Sequence, residues 1–390
     1  MITVEEARAL LFNLVGPLPT EEVPLAQSAG RVLSQDVAAT RDQPPFAASS
    51  MDGYAVNSDE VELHAMFKVV GESAAGRRYE GTAGPGQAVR IFTGAPVPEG
   101  ADFVVIQEDT TRRGDLLTIT DTPGSKNNIR PAGVDFTAGT SIASPRLIRA
   151  EDIALMAAMN IPRVPVSRKP VIALISTGDE LVMPGEQPGQ DQIIASNTFG
   201  LQALLEGLGA SVRMLPIARD TVSSLETAFG LAQGVDLVVT IGGASVGDYD
   251  LVSDVSQGLG MERSFYKIRM RPGKPLMAGR IGDTAMVGLP GNPVSAMVCG
   301  YLFLAPMVRR MLGLDHVLPP FRTTRLCAPL PKNGPREHYM RAVLTDAGIE
   351  ACSDQDSSLL SVLAQANALL VRAPNDPARE IGETVQYLPI

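Results

Sequence analysis

Residues 236 to 297 decide the fold, because they contain the segments TIGGASVGDYD (240–250), RPGKP (271–275) and GLPGNPVSAM (288–297). An apolar run, Leu237 to Val239, precedes the first segment, whose glycines let backbone N–H groups turn toward an anion. A second apolar run precedes the PGNP turn of the third segment, and Ser295 to Val308 then predicts a buried helix that starts near Pro293. We expect free N–H groups at the start of this helix to suit an oxyanion. The region therefore predicts strands and helices around a phosphate-binding loop.

Strand and helix patterns alternate on both sides of this region. The strand-like runs are Val171–Ser176, Val212–Ile217 and Leu237–Thr240, and the helical segments between them are Asn197–Leu208 and Val222–Ala232. This alternation predicts a mostly parallel sheet covered by helices on both faces. Ligands of such sheets bind beyond the carboxyl ends of the strands. Since STGDEL (176–181), IGGASVGD (241–248) and GLPGNPVS (288–295) each follow a strand, we expect them to face one crevice.

The rest of the chain is richer in strands. Val4 to Val15 predicts a helix with Thr3 and Glu6 as a capping box. Short β-branched runs separated by Gly/Pro turns continue to about Ile148, and a helix is predicted over Ala150–Met159. Short strands return after Pro319 and Pro320. The predicted fold class is multidomain α/β plus β, with a central α/β unit, a β-rich insertion and a small C-terminal β unit.

Composition narrows the class of protein. The 390 residues are 45% hydrophobic and 19% charged, which is typical of a folded chain with several domains. The N-terminus lacks the basic region of a secretory signal, and no uninterrupted apolar run reaches the ~18 residues of a membrane span. Three cysteines without a CxxC pair indicate neither a disulfide framework nor a zinc site. We therefore expect a cytoplasmic protein with no membrane contact.

Charge indicates the kind of ligand. A formal net charge of −10 argues against a general nucleic-acid binder. Residues 263–274 nevertheless hold five cations and no carboxylate, which favours a small, multiply charged anion. Arg271 and Lys274 bracket a stiff Pro-Gly turn, although a solvated basic loop is the alternative. The chain has no GxxxxGK[ST] motif, which disfavours a P-loop hydrolase.

Carboxylates follow several of the predicted strands. They are Asp179, Glu180, Asp220, Asp248 and Asp250. As a set, oxygen ligands beside a phosphate loop suit Mg²⁺, although each residue alone, and Asp220 most of all, is better explained as a helix cap or a surface charge. Asp52 and Thr93 precede glycines in the N-terminal half, where each residue alone is better explained as part of a plain turn. The three histidines form no cluster, which excludes the usual zinc hydrolase and Ser-His-Asp patterns.

Six segments in order extend this interpretation to a family. PPFAASSMDGYAV, IFTGAPVP, STGDEL, GGASVGDYD, RPGKP and GLPGNPVSAM together resemble the MoeA family of molybdopterin molybdenumtransferases, related to the E domain of gephyrin. The resemblance implies that molybdate is inserted into adenylylated molybdopterin with release of AMP. It also implies a homodimer with an active site shared between subunits, and contact with a molybdopterin adenylyltransferase and with enzymes that accept the cofactor.

The resemblance further implies a four-domain subunit. The expected divisions are 1–45 with 146–168 as a discontinuous N-terminal domain, 46–145 as the β-rich insertion, 169–318 as the α/β molybdopterin-binding domain, and 319–390 as a C-terminal β-barrel-like domain.

Site residues follow from the matched positions. The implied contacts for the adenylylated pterin are Gly242, Gly243, Ser245, Asp248, Pro290, Gly291 and Asn292. Those for molybdate are Arg271, Lys274 and Ser295, joined by Arg341 and Ser361 from the C-terminal unit. Asp220 and Asp250 are the implied Mg²⁺ ligands, and Asp52, Thr93 and Glu180 match positions associated with activity, Asp52 reaching the site from the partner subunit.

Two segments depart from the family pattern. Gly133-Val134-Asp135 lacks one expected carboxylate, and a Gly-rich turn is replaced by Ser353-Asp-Gln-Asp-Ser-Ser358, whose carboxylates disfavour an anion nearby. Two alternative functions stay open on the sequence: a molybdopterin adenylyltransferase, which shares the α/β domain, and a non-catalytic scaffold of the gephyrin type. Asp52 and the C-terminal unit argue against the first, and the intact loops argue against the second.

Overall fold

The computed structural model describes residues 1–243 and 251–390, which form seven sheets with helices packed on them. The first helix, α1 (Val4–Leu14), has the predicted capping box, in which Glu6 N–H donates to Thr3 Oγ1 at 3.1 Å and Thr3 N–H donates to Glu6 Oε2 at 2.7 Å. Its apolar face lies in the same core as the central α/β sheet. The buried residues of this face are Val4, Ala7, Leu11 and Leu14.

Four short strands then lead away from α1. They are β1 (Thr20–Pro24), β2 (Val32–Leu33), β3 (Val37–Ala38) and β4 (Ala48–Ser49).

The β-rich region that follows is a six-stranded sheet. Its strands are β5 (Gly53–Val56), β6 (Met66–Ser73), β7 (Gln87–Ile91), β8 (Phe103–Ile106), β9 (Thr110–Arg113) and β10 (Leu116–Ile119). They lie in the order β8-β5-β7-β6-β10-β9. Alternating apolar residues such as Phe67, Val105 and Leu117 form a separate small core beneath this sheet.

The chain returns beside its outgoing path. The returning elements are β11 (Ile129–Arg130), β12 (Ser141–Ile142), β13 (Arg146–Leu147), α2 (Ala150–Ala158) and β14 (Arg163–Ser167). β11 pairs with β4 and β12 with β3, while β1, β14, β2 and β13 form one antiparallel sheet. The two ends of the β-rich region therefore lie side by side in a neck of paired strands.

The central unit is an α/β sheet. Its elements begin with β15 (Val171–Ser176), β16 (Leu181–Val182), β17 (Ile193–Ile194), α3 (Asn197–Gly207), β18 (Ser211–Met214), α4 (Val222–Leu231) and β19 (Leu237–Ile241). They continue with α5 (Leu251–Gly258), β20 (Glu262–Phe265), β21 (Met270–Arg271), β22 (Met277–Ile281) and β23 (Thr284–Leu289).

The order of the central sheet is β18-β15-β19-β23-β22-β20. The first four strands are parallel, and β22 and β20 extend the sheet antiparallel. This confirms the predicted fold class. β18 ends at Met214 and not at the predicted Ile217, because Pro216 has no N–H with which to continue the ladder.

One long buried helix closes the central unit. It consists of α6 (Pro293–Cys299), a π-helical turn (Gly300–Leu304) and α7 (Ala305–Met311). Pro306 lacks the N–H that a regular α-helix would use here, which accounts for the wider turn before it. The 19 residues have a mean hydropathy of 1.2, long and apolar enough to cross a membrane, but 78% of the tested window is buried inside the fold. This burial is what a core helix shows.

The C-terminal unit is a curled sheet. Its elements are β24 (Arg322–Arg325), β25 (Glu337–Thr345), β26 (Gly348–Ala351), α8 (Leu360–Gln365), β27 (Ala368–Arg372) and β28 (Thr384–Pro389). The strand order is β21-β25-β27-β28-β24, and a bridge between Leu326 and Ile349 brings β24 toward β26. Since β21 belongs to the RPGKP region, this sheet ties the basic turn to the C-terminal unit.

Candidate active site

A cavity of about 600 Å³ lies at the carboxyl ends of β15, β19 and β23. The three segments expected to share a crevice all reach it: Thr177 and Glu180 from STGDEL, Gly242 and Gly243 from the glycine loop, and the PGNP turn. The remaining wall residues include Asp220, Ile193, Ile194, Asn197, Pro275 and Ser358. The convergence predicted from three strand ends is therefore present in the structure.

The backbone of the glycine loop has positive φ angles, which residues other than glycine would adopt only with strain. Gly242 and Gly243 have φ values of +99° and +66°. A Cβ at Gly242 would lie 2.6 Å from the Thr177 carbonyl oxygen, and one at Gly243 would lie 2.3 Å from Val252 Cγ2. Both positions therefore require glycine, which leaves the loop backbone open to the cavity.

Thr177 contributes a hydroxyl that sequence reasoning did not single out. The side chain is buried, and its Oγ1 has no hydrogen-bond partner within residues 1–243 and 251–390. A buried hydroxyl without a partner costs free energy, and a ligand with a polar group can remove that cost. Within STGDEL, the sequence interpretation assigned site roles only to the carboxylates, although its threonine directly follows β15.

Carboxylates line one side of the cavity. Asp220 and Glu180 both reach the cavity, and Asp220 N–H donates to Asp179 Oδ1 at 3.2 Å. Burial raises the pKa of Asp220, and the neighbouring Asp179 and Glu180 carboxylates raise it further. A cation would relieve this concentration of negative charge. In the parts of the chain that the structure describes, no group of three or more His, Cys, Asp or Glu is arranged to hold a metal ion.

The PGNP turn is fixed from both sides. Asn197 Nδ2 donates to the Gly291 carbonyl at 2.7 Å, and Asn292 Nδ2 donates to Ser357 Oγ at 3.1 Å. The expectation of free N–H groups at the start of α6 is wrong for Val294, because its N–H donates to the Ser357 carbonyl at 3.2 Å. Pro293 has no N–H to offer. Ser295 is buried within the first turn of α6.

The RPGKP turn lies between the central and the C-terminal units. Of the described residues in this turn, Pro275 lines the cavity. Arg271 pairs with His338 where β21 lies beside β25. Burial and the charges of Arg271 and three other arginines lower the pKa of His338 to about 4, so the imidazole is neutral at pH 7. A Cβ at Gly273 would lie 2.6 Å from Cys299 Sγ, which shows how closely the turn packs on the buried helix.

Among the described residues, neither Arg341 nor Ser361 lines the cavity. The Arg341 side chain is 2% exposed, and its Nη1 donates to the Asp356 carbonyl at 2.7 Å. Ser361 is exposed on α8, and it is Ser358, three residues earlier, that lines the cavity. No long-range signal in the sequence could have distinguished these two serines.

Asp52 and Thr93 form a pair of their own in the β-rich region. Asp52 Oδ1 accepts the Thr93 N–H at 2.7 Å and the Thr93 hydroxyl at 2.8 Å. The Thr93 N–H and hydroxyl lower the pKa of Asp52, so the carboxylate is ionised at pH 7. Neither residue is among those that line the cavity of the same chain, counting the described residues alone.

Three predicted site residues lie outside the described residues: Ser245, Asp248 and Asp250. Their proposed roles stay predictions.

Comparison with known proteins adds to this geometry. Residues 2–160 match the MoeA N-terminal region (domain I and II), residues 173–310 a probable molybdopterin-binding domain, and residues 323–390 the MoeA C-terminal region (domain IV). The molybdopterin molybdenumtransferase of Nostoc sp. (strain PCC 7120) is 37% identical, over 95% of this chain and 90% of that protein. The enzyme of the same name from Haemophilus influenzae is 33% identical, over 100% of this chain and 98% of that protein.

A solved structure agrees in fold. The crystal structure of the molybdopterin biosynthesis MoeA protein from Pyrococcus horikoshii superposes with a TM-score of 0.86 at 28% identity, covering 100% of this chain and 99% of that chain. The three matched regions occur in the same order as the sheets described above. On this agreement of sequence and fold, the chain belongs to the MoeA family of molybdopterin molybdenumtransferases.

Proposed function

We propose that the enzyme inserts molybdate into adenylylated molybdopterin in this cavity, with Mg²⁺-dependent release of AMP. The observation that carries the proposal is the meeting of the glycine loop, the PGNP turn and the Asp220 edge around one space. Backbone groups suit a phosphate, and carboxylates beside them suit the cation that accompanies it. A cavity with both kinds of surface matches a phosphoanhydride substrate.

The nucleotide end of the substrate is assigned to the backbone. Because Gly242 and Gly243 have no side chains, their backbone can contact the nucleotide directly. Pro290, Gly291 and Asn292 form the opposite wall. Ser245 and Asp248 complete this set in the proposal. The hydrogen bond from Asn197 to Gly291 holds the wall before the substrate arrives, so little ordering is needed on binding.

Magnesium is assigned to Asp220 and Asp250. The raised pKa of Asp220 supports this, because crowded carboxylates near a phosphate site gain from a divalent cation. When bound, Mg²⁺ would neutralise charge on the phosphates as the phosphoanhydride breaks. Glu180 adds to the negative potential that attracts the cation.

Molybdate is assigned to the junction between the central and C-terminal units. Arg271 and Lys274 flank the turn whose Pro275 reaches the cavity, and Ser295 lies in the first turn of the adjoining helix. Cations on a tight turn offer donors to a tetrahedral oxyanion from more than one direction. In the proposal Arg341 and Ser361 support this set from the C-terminal unit.

The remaining partner is a second copy of the chain. Asp52 and Thr93 form a hydrogen-bonded pair outside the cavity of their own subunit, so we assign them to the cavity of the partner subunit in a homodimer. We also infer a cytoplasmic enzyme that receives its substrate from a molybdopterin adenylyltransferase and passes its product to cofactor-accepting enzymes. The expected four-domain division stays part of the proposal, and the paired strands of the neck support a discontinuous N-terminal domain.

The two alternatives are less well supported. An adenylyltransferase would have no use for the C-terminal wall at Ser358, and the two relatives cited above, which match 95% and 100% of this chain, are named molybdopterin molybdenumtransferases. A scaffold without activity would have no need of two glycines with positive φ angles at a cavity.

Incubation of the purified enzyme with adenylylated molybdopterin, Mg²⁺ and molybdate tests the proposal. We expect release of AMP together with a product that activates an apo-molybdoenzyme, and no release when molybdate or Mg²⁺ is omitted. Asp220→Asn should lose this activity, whereas Asp283→Asn, in the exposed turn between β22 and β23, serves as a matched control. Formation of adenylylated molybdopterin from ATP, with no consumption of it, would favour the adenylyltransferase instead.

A further inference from the structure

The pair of Asp52 and Thr93 lies beside an arginine to which the proposed function assigns no role. Arg90 is a half-buried residue of β7, three positions before Thr93. β7 pairs with β5, and the register places Arg90 opposite Tyr54, two positions after Asp52. Directly opposite residues of an antiparallel pair have adjacent side chains. The pairing of the two strands therefore brings a cation close to the Asp52 turn.

Two aromatic rings hold the guanidinium of Arg90. Its Cζ lies 5.0 Å from the centroid of the Tyr54 ring and 4.6 Å from the centroid of the Phe92 ring. A cation is attracted to the face of an aromatic ring, and a planar guanidinium also stacks on it. Tyr54 is 7% exposed and belongs to the small core of the β-rich sheet, so this ring is itself fixed. The contacts restrict the positions that the Arg90 side chain can take.

The donors of Arg90 reach both flanks of Asp52. Nη1 donates to the Gly53 carbonyl at 3.1 Å, and Nη2 donates to Gln107 Oε1 at 2.7 Å. Gly53 follows Asp52 in the chain, and the Gln107 N–H donates to the Asp52 carbonyl at 3.0 Å. One guanidinium therefore joins the two residues that fix the backbone of Asp52.

The carboxylate of Asp52 is held separately from its backbone. Its Oδ1 accepts both the N–H and the hydroxyl of Thr93, as described above. The Thr93 donors lower the pKa of Asp52 most, and the charge of Arg90 lowers it further. Arg90 is thus linked to Asp52 by charge as well as by hydrogen bonds to its neighbours.

We propose that Arg90 is a positioning residue, which holds the backbone around Asp52 so that the carboxylate enters the cavity of the partner subunit in a fixed orientation. The inference rests on the proposed function for the role of Asp52, whereas the contacts of Arg90 do not depend on it. Arg90 acts on the reaction through Gly53 and Gln107. Orientation matters because a displacement of about 1 Å can cost about 100-fold in rate.

Amide hydrogen exchange tests the contact in the full-length protein without any ligand. Arg90→Gln removes the fork that joins Gly53 to Gln107. We expect the Gln107 amide to exchange about 5-fold faster in this variant, because its bond to the Asp52 carbonyl is no longer supported. Arg113→Gln, at an exposed position on the edge strand of the same sheet, is the matched control and should leave Gln107 unchanged. Unchanged exchange at Gln107 in a folded Arg90→Gln protein would overturn the proposal.

Steady-state kinetics separate positioning from substrate binding and from charge. Arg90→Gln should lower kcat for AMP release about 10-fold and change KM for adenylylated molybdopterin less than about twofold. Arg90→Lys should be impaired as much, because an ammonium keeps the charge but lacks the planar fork. Full activity in Arg90→Lys, or a rise in KM alone in Arg90→Gln, would reject the positioning role.

Mixed dimers show with which cavity Arg90 acts. Subunit exchange between Arg90→Gln and Asp220→Ala proteins should give activity above that of the Arg90→Gln homodimer, because one site then combines two unaltered parts. Exchange between Arg90→Gln and Asp52→Ala proteins should give no such gain, because both sites receive an altered Asp52 region. The opposite pattern would assign Arg90 to the cavity of its own subunit and overturn the proposal. If the wild-type protein releases no AMP, the proposed function fails, and exchange at Gln107 still decides whether Arg90 holds the backbone of Asp52.

Discussion

The two walls of the cavity are fixed by different means. The glycine wall depends on backbone conformation at strand ends, where Gly242 and Gly243 leave no room for a side chain. The C-terminal wall depends on hydrogen bonds of side chains, which join Gln355 to Arg341 and Ser357 to Asn292. A backbone wall is rigid and intolerant of substitution, whereas a wall built from side chains can lose one bond and adapt. The following predictions measure that difference.

The largest effect is expected at the glycine wall. Gly242→Ala should reduce AMP release at least about 100-fold, because the added Cβ meets the Thr177 carbonyl at 2.6 Å and shifts the loop. Gly207→Ala is the control, since a Cβ there meets nothing within 4 Å at the end of a helix. Steady-state assays of both variants, with circular dichroism to check folding, make the comparison. Similar activity in both would show that the loop backbone does not hold the substrate.

Asp220 should show the next largest effect. Asp220→Asn is expected to lower activity about 30-fold, because the variant lacks the proposed cation ligand. The raised pKa of Asp220 means that its ionised form is disfavoured in the folded state, so wild-type activity should fall with decreasing pH at higher values than for an ordinary Asp. The amide has no such charge, so the variant should also melt at a higher temperature than wild type at pH 7. A pH–activity profile and a thermal scan measure the two effects. A lower melting temperature in the Asp220→Asn protein would contradict a raised pKa of this carboxyl group in the folded state.

Mixing two inactive variants tests whether the β-rich region contributes to the partner's cavity. Asp52→Ala and Asp220→Ala homodimers should each be nearly inactive. Random exchange of equal amounts makes about half of the dimers mixed, and each mixed dimer has one intact site of two, so total activity should recover to about a quarter of the wild-type level. The readout is AMP release after subunit exchange. No recovery, with mixed dimers present by native mass spectrometry, would place Asp52 outside a shared site.

The smallest effect is expected at the C-terminal wall. Ser358→Ala removes a hydroxyl that already donates to Asp356 at 2.6 Å, so the turn loses one local bond while its backbone bonds remain. We expect a rise of about threefold in KM for adenylylated molybdopterin with little change in kcat. A loss as large as that of Gly242→Ala would erase the distinction between the two walls.

The sequence predicted the glycine wall better than the C-terminal wall for a physical reason. Strand, glycine and turn signals are local, and parallel strands bring their carboxyl ends together, so Gly242 and Asn292 could be placed at one crevice in advance. The occupation of the Val294 N–H by Ser357 joins residues 63 positions apart, and no local pattern encodes it. The roles of Arg341 and Ser361 came from family resemblance, and they stay predictions.

The same contrast holds for single residues of the fold. The capping box at Thr3 and the start of the buried helix near Pro293 were confirmed, because each depends on neighbours within one turn. The end of β18 was wrong by three residues, because apolar Leu215 and Ile217 outweighed Pro216 in the pattern. Thr177 was missed because an unpartnered hydroxyl is a property of the packed structure and not of the residue type.

The neck of paired strands has a consequence for the geometry of the proposed dimer. Asp52 follows the pairing of Ser49 with Ile129 by three residues, whereas the loop between β9 and β10 lies at the far edge of the β-rich sheet. A body that swings about a pivot displaces its tip far more than the points beside the hinge. Tilting of this sheet would therefore move the far edge over a long distance and the Asp52 carboxylate over a short one. The position of Asp52 relative to the proposed partner cavity would then change little when the β-rich region tilts.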